Sequence, residues 1–88
     1  MNLQMFKKVM KQAKVNLDLS ESPTLLPNTI KIIKSNDIYK VYKIDEQLNK
    51  IFIIETNSQN IAFKSILKFL QIKLDHHGRI MKNNPARR

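Results

Sequence analysis

The chain has 88 residues, of which 42% are hydrophobic, so it can form one small domain and is too apolar to be wholly disordered. It contains no cysteine, which excludes disulfides and thiolate metal sites, and no apolar run approaches the roughly 20 residues that a membrane helix needs. Its net charge of +9, from 16 Lys and Arg against 7 Asp and Glu, predicts a polyanionic partner.

Residues 2–17 are predicted to form the first helix, because apolar side chains recur there at spacings of three and four. That stripe consists of Leu3, Phe6, Met10, Ala13 and Leu17. Three lysines, Lys7, Lys11 and Lys14, lie together beside the stripe and give the helix a cationic flank. Serines and prolines follow from residue 20, so residues 18–28 are predicted to be a connector.

Residues 28–56 change to a period near two and become rich in β-branched and aromatic side chains. Turn-forming residues at 35–37 and 45–49 divide this region into three strands, which predicts an antiparallel meander. The continuous apolar run from Ile51 to Ile54 predicts a central strand that is buried on both faces.

A second helix is predicted to begin after Asn57 or Ser58, since either side chain can cap its first turn. Its apolar face consists of Phe63, Ile66, Leu67, Leu70 and Leu74, with Lys64 and Lys68 on the flank. Gly78, the only glycine, is predicted to form a left-handed cap after this helix. We therefore expect a single domain over residues 1–78 and an extended basic tail over residues 79–88.

The predicted fold is α+β: an N-terminal helix, a three-stranded antiparallel sheet, a C-terminal helix packed on the sheet, and the basic tail. Both helices should cover one sheet face, because the strands alone cannot bury their apolar surface. This order of elements resembles that of small ribonucleoprotein components such as the Alu-domain proteins of the signal recognition particle. The resemblance concerns element order alone, and no residue role is taken from it.

The acidic residues are confined to the middle of the chain. Residues 1–17 hold four lysines and no carboxylate, and residues 64–88 hold seven Lys or Arg and a single Asp. Clustered cations gain free energy by replacing the counterions condensed on phosphates. The two basic ends predict a non-catalytic RNA-binding subunit of a ribonucleoprotein, above all a ribosomal protein. Its predicted phosphate contacts are Lys7, Lys11, Lys14, Lys64, Lys68, Arg79, Lys82, Arg87 and Arg88.

Two other functions remain open at the level of sequence. A small phage or bacterial DNA-binding regulator would need polar side chains on a recognition helix, and residues 2–17 offer Asn2, Gln4, Gln12 and Asn16. A protein-interaction subunit would use a minor apolar stripe of the second helix, formed by Ile61, Phe69 and Ile72. The first helix or the connector can instead cover this stripe.

Tyr39, Tyr42 and Phe52 lie on the predicted strands, where exposed aromatic side chains can stack on unpaired bases. Such platforms usually have glycines nearby, and none lies within these strands. Phe52 also lies inside an apolar run. The sequence therefore favours packing in or near the core for these three side chains.

Catalysis and metal binding find little support in the sequence. One glycine is too few for a phosphate-binding loop, there is no cysteine nucleophile, and adjacent His76 and His77 lack further ligands of suitable spacing. We expect no enzyme activity, cofactor, metal or small-molecule substrate. We expect the protein in an intracellular, reducing compartment, and in the cytoplasm unless it is organellar. An organellar matrix, the mitochondrial one included, remains open, because residues 1–17 are amphipathic and free of acids, as import signals are.

Overall fold

The computed structural model of the protein describes residues 1–81. Two helices and four strands follow one another in the order α1 (Leu3–Gln12), β1 (Asn16–Asp18), β2 (Thr29–Ser35), β3 (Ile38–Ile44), β4 (Lys50–Thr56) and α2 (Gln59–Phe69). The α+β class is therefore confirmed. The prediction of a three-stranded antiparallel sheet is wrong, because the sheet has four strands and is mixed.

The first helix ends five residues earlier than predicted. Ala13 caps it, and Lys14 has a left-handed backbone with φ of 59°. The amide of Lys14 donates to the carbonyl of Lys11, and the amide of Val15 donates to that of Met10. This paired arrangement turns the chain sharply out of a helix. It frees residues 16–18 to form β1, which pairs with β2 in parallel and places Leu17 opposite Ile30.

The sheet has the strand order β1-β2-β3-β4, with β2, β3 and β4 forming the predicted antiparallel meander. The prediction that Ile51–Ile54 forms a central strand is wrong, since β4 lies at the edge of the sheet. Its pairing with β3 shifts at Val41 and Tyr42, so Ile53 is an extra residue on β4. Such a bulge makes an edge strand irregular and less suited to pairing with another chain.

Both helices pack on one face of the sheet and form the core with it. The ring of Phe6 on α1 stacks on that of Phe63 on α2, with centroids 4.0 Å apart and planes 6° from parallel. The N-terminal amine of Met1 donates to Oδ1 of Asn60, so the first turns of the two helices meet. The buried core cluster consists of Phe6, Val9, Met10, Ile30, Ile32, Val41, Ala62, Phe63 and Ile66.

A buried ion pair lies on the opposite side of the sheet, against the connector. Nζ of Lys31 on β2 is 2.9 Å from Oδ2 of Asp18 on β1, and the two side chains are 2% and 5% exposed. Lys31 also donates to the carbonyl of Ser22 at 3.0 Å, while the hydroxyl of Ser20 donates to Oδ1 of Asp18. The hydrogen bonds from Ser20, followed by that from Lys31, lower the pKa of Asp18. These bonds fasten the connector to the sheet.

The segment after α2 returns over the domain as a short hairpin. Ser58 caps the start of α2, and Gln71, with φ of 59°, provides the left-handed turn at its end. Gly78 was predicted to form the left-handed cap after this helix, and that prediction is only partly correct. Its φ is positive, at 79°, but it lies in a turn that brings Leu74 and Ile80 together. Among residues 1–81, no helix has the length and apolar character needed to span a membrane.

Candidate nucleic-acid interface

The three lysines predicted on the flank of the first helix surround a single groove. Lys7 and Lys11 reach it from α1, and Lys14 from the left-handed turn that follows. The groove has a volume of about 320 Å³, and its floor includes Met10 and Leu17. The early end of α1 helps to build it, because the chain turns back to β1 beside the helix.

A second basic groove lies beside α2. Lys64 and Lys68 line it from the helix, and Lys73 joins them from the following segment. It is larger, at about 810 Å³, and Ile72 and Met81 contribute apolar lining. Lys73 was not among the predicted contacts. On a helix continuing to Leu74, as predicted, Lys73 would lie on the opposite face from Lys64; α2 ends at Phe69, and the reversal of the chain after it brings Lys73 to the other two lysines.

The lysines of both grooves are exposed, and none of them forms a salt bridge with a carboxylate of residues 1–81. The two ion pairs of this part of the chain are Lys31–Asp18 and Arg79–Asp75. Six exposed ammonium groups in two clusters therefore have no carboxylate of residues 1–81 within salt-bridge distance. They are the lysines Lys7, Lys11, Lys14, Lys64, Lys68 and Lys73.

Arg79, a predicted tail residue, belongs to the hairpin turn. Its Nε lies 3.5 Å from Oδ2 of Asp75, and its backbone amide donates to Oδ1 of the same carboxylate. The amide of Arg79, then that of His77, lowers the pKa of Asp75. Ile80 packs partly against the core. The other predicted tail contacts, Lys82, Arg87 and Arg88, lie outside the described residues.

The polar residues that a DNA-reading helix would need do not share one helical surface. Oδ1 of Asn2 caps α1 by accepting the amide of Met5 at 2.8 Å. Gln12 is the last residue of α1, and Asn16 lies on β1. Only Gln4 and Gln12 remain on the helix as free polar groups of this set, which is a poor basis for reading base edges.

The apolar side chains predicted as a protein interface lie partly on α2 and partly in the segment that follows it. Ile61 and Phe69 lie on α2 and are 48% and 42% exposed. Ile72 lies beyond the helix, where it lines the second basic groove and packs partly against the core. The stripe is thus reduced to two exposed side chains on α2.

The sheet face that the helices leave open carries an aromatic pair. Phe52 on β4 is 57% exposed, and its ring meets that of Tyr42 on β3 edge to face, with centroids 5.8 Å apart. Nζ of Lys50 lies 4.7 Å from the centroid of Tyr42. The prediction that Phe52 is packed in the core is wrong, because β4 is an edge strand and Phe52 points away from the helices. Tyr39 packs partly against the core, as predicted.

Residues 1–81 contain no group of three or more His, Cys, Asp and Glu that could hold a metal ion. His76 and His77 are exposed in the hairpin turn, with ring centroids 4.1 Å apart.

Comparison of the chain with protein-family models, with curated proteins and with solved structures finds no significant match.

Proposed function

We propose that this protein is a non-catalytic RNA-binding subunit of a ribonucleoprotein, and that it binds phosphates through its two basic grooves. The observation that carries the proposal is the clustering of six exposed lysines, three in each groove, without a carboxylate partner within residues 1–81. A ribosome, cytoplasmic or organellar, is the setting we favour.

The physical reason is electrostatic. Three ammonium groups around one groove repel one another, and a phosphate backbone relieves that repulsion while releasing its condensed counterions. Most contacts of this kind position the nucleic acid and do not read its sequence. A structural subunit needs only such contacts, because RNA shape and neighbouring subunits can supply specificity.

The basic residues beyond Met81 follow the second groove in the sequence, outside the described residues. Met81 lines that groove, and the last seven residues of the chain contain Lys82, Arg87 and Arg88 without an acidic side chain. We propose that these residues also contact RNA.

The DNA-binding alternative is weaker, because capping and chain reversal take Asn2 and Asn16 away from a common helix surface. The protein-interaction alternative retains only the exposed pair Ile61 and Phe69 on α2. In a ribonucleoprotein this pair can contact a neighbouring protein without replacing the RNA contacts.

The test compares lysines that line a groove with one that does not. The triple variant K7Q/K11Q/K14Q should bind a short RNA duplex more weakly, and each lost phosphate contact should reduce the slope of log Kd against log salt by roughly 0.7 to 0.9. K8Q removes one charge from the same helix outside the groove and should leave the slope nearly unchanged. Melting temperatures should stay close to that of the parent, because all four lysines are exposed.

Three results would reject the proposal. One is a parent protein without salt-dependent binding to RNA. Another is equal loss of affinity per charge for K8Q and for the groove lysines, which would indicate a general effect of net charge. The third is a protein purified from its source that brings a protein partner and no nucleic acid, with binding that is lost when Phe69 is made polar.

A further inference from the structure

The open sheet face carries aromatic and cationic side chains, the two kinds of group that bind unpaired bases and their phosphates. Phe52 and Tyr42 form an aromatic pair on adjacent strands, with the ammonium of Lys50 over the Tyr42 ring. Lys40 lies two residues before Tyr42 and is also exposed. The acidic residue Glu55 lies opposite Lys40 in the pairing of β3 with β4.

The other half of the same face is covered. The connector lies over β1 and β2, where Lys31 bonds to the carbonyl of Ser22 and is only 2% exposed. Ile44, on the same face as Tyr42, is fully buried near that end. Within residues 1–81, the connector therefore covers this sheet face only as far as about β3, and Phe52 stays exposed at the edge of the sheet.

We propose that this half of the sheet binds single-stranded RNA, with a base stacked on the ring of Phe52 and phosphates beside Lys40 and Lys50. Every base has a π face, so stacking on an exposed ring is favourable for any sequence. Lys50, whose ammonium lies 4.7 Å from the Tyr42 ring, and exposed Lys40 provide cationic groups for the phosphate backbone next to the aromatic pair, although Glu55 lies opposite Lys40. This inference rests on the proposed RNA-binding function and assigns it a second, chemically different surface.

A second copy of the chain is a less suitable occupant. Pairing two copies face to face would place Lys40 and Lys50 of both copies in one interface against one Glu55 from each, and such a surplus of like charge is unfavourable. Edge pairing through β4 is hindered by the bulge at Ile53. Single-stranded RNA can stack a base on the aromatic ring and place phosphates beside the lysines at the same time.

The chain contains no tryptophan, so a single one can be introduced as a reporter of stacking. In F52W, fluorescence should be quenched when a single-stranded RNA decamer is added. F69W is the matched control, because Phe69 is also exposed, at 42%, and lies on α2 away from the open sheet face and outside the lining of the second groove. Its fluorescence should change little with the same decamer.

Affinity provides the second measurement. F52A should bind the single-stranded decamer about 5- to 150-fold more weakly than the parent, with an unchanged salt slope because no charge is lost. F69A should bind like the parent. Binding of both variants to an RNA duplex should also be unchanged, since paired bases cannot stack on the ring. Thermal melts should show both variants folded, because each truncates an exposed side chain.

The possible failures are distinguishable. If the parent binds the decamer and F52A binds it equally well, or F52W is not quenched, the base-stacking surface is refuted while the phosphate grooves stand. If the parent binds neither form of RNA, the proposed function fails and this inference fails with it. A parent that sediments as a dimer and an F52A variant that sediments as a monomer would assign the surface to a second copy.

Discussion

Replacing Lys31 with Met should destabilise the domain strongly, although the sequence presents this residue as one of several strand lysines. The side chain is 2% exposed, and its ammonium donates to Oδ2 of Asp18 at 2.9 Å and to the carbonyl of Ser22 at 3.0 Å. Met preserves most of the volume and removes the charge. It leaves the Asp18 carboxylate, 5% exposed, with only its bonds from Ser20.

Removing one partner of a buried ion pair costs about 3 to 5 kcal/mol, because the other charge remains buried without compensation. A domain of this size has roughly 4 to 13 kcal/mol of stability in total. Since 1 kcal/mol corresponds to about 4 to 8 °C for such a domain, K31M should melt at least 12 °C below the parent, or fail to fold at the upper limit.

The assay is urea and thermal unfolding followed by circular dichroism, with K34M as the control. Lys34 lies on the same strand but is exposed, so its replacement should change the free energy of unfolding by no more than about 1 kcal/mol. The double variant K31M/D18N should lose less than the two single variants combined, since neither charge is then left alone. If K31M is as stable as K34M, the ion pair is not buried as described and the reasoning fails.

Three further predictions concern pH, the core and the hairpin turn. The lowered pKa of Asp18 means that its stabilising contribution is complete above its unfolded pKa of about 3.9 and is lost as pH falls through the lower folded value. The free energy of unfolding should therefore fall more steeply below pH 4 in the parent than in D18N, and equal slopes in acid titrations of the two would contradict this. F63A should cost about 3 to 5 kcal/mol in urea unfolding, because it removes the ring stacked on Phe6; a variant that melts with the parent would show that α2 packs differently. G78V should cost about 1 to 2 kcal/mol, since φ is 79° there and a Cβ would lie 3.2 Å from Cε of Met5; unchanged stability in the same assay would mean that the turn relaxes freely.

Much of the local structure could be predicted from the sequence. The spacing of Phe6 and Met10 indicated the buried side of α1, and Ser58 marked the start of α2. The change of period at residue 28 indicated the strands β2, β3 and β4. The lysines of each helix flank could be grouped as well, because residues three and four apart in a helix lie side by side. These features depend on neighbours in the chain, which is why a single sequence contains them.

The ends of the helices were less predictable. Lys14 and Gln71 adopt left-handed backbones that usually favour glycine, so their sequence carries no stop signal. The first helix was therefore predicted to continue to Leu17, and the short parallel strand β1 was missed. Lys73 was missed for a related reason, since it reaches Lys64 and Lys68 only after the chain reverses at Gln71.

The burial of Lys31 and the exposure of Phe52 follow from the tertiary structure alone. Alternation along a strand shows which side chains share a face, but it does not show what covers that face or which strand lies at the edge. Lys31 is buried because the connector and Asp18 lie over it. Phe52 is exposed because, within residues 1–81, β4 has no neighbouring strand on one side and no helix covers the open face. Both outcomes depend on contacts between residues distant in the chain, and such contacts exist only in the folded molecule.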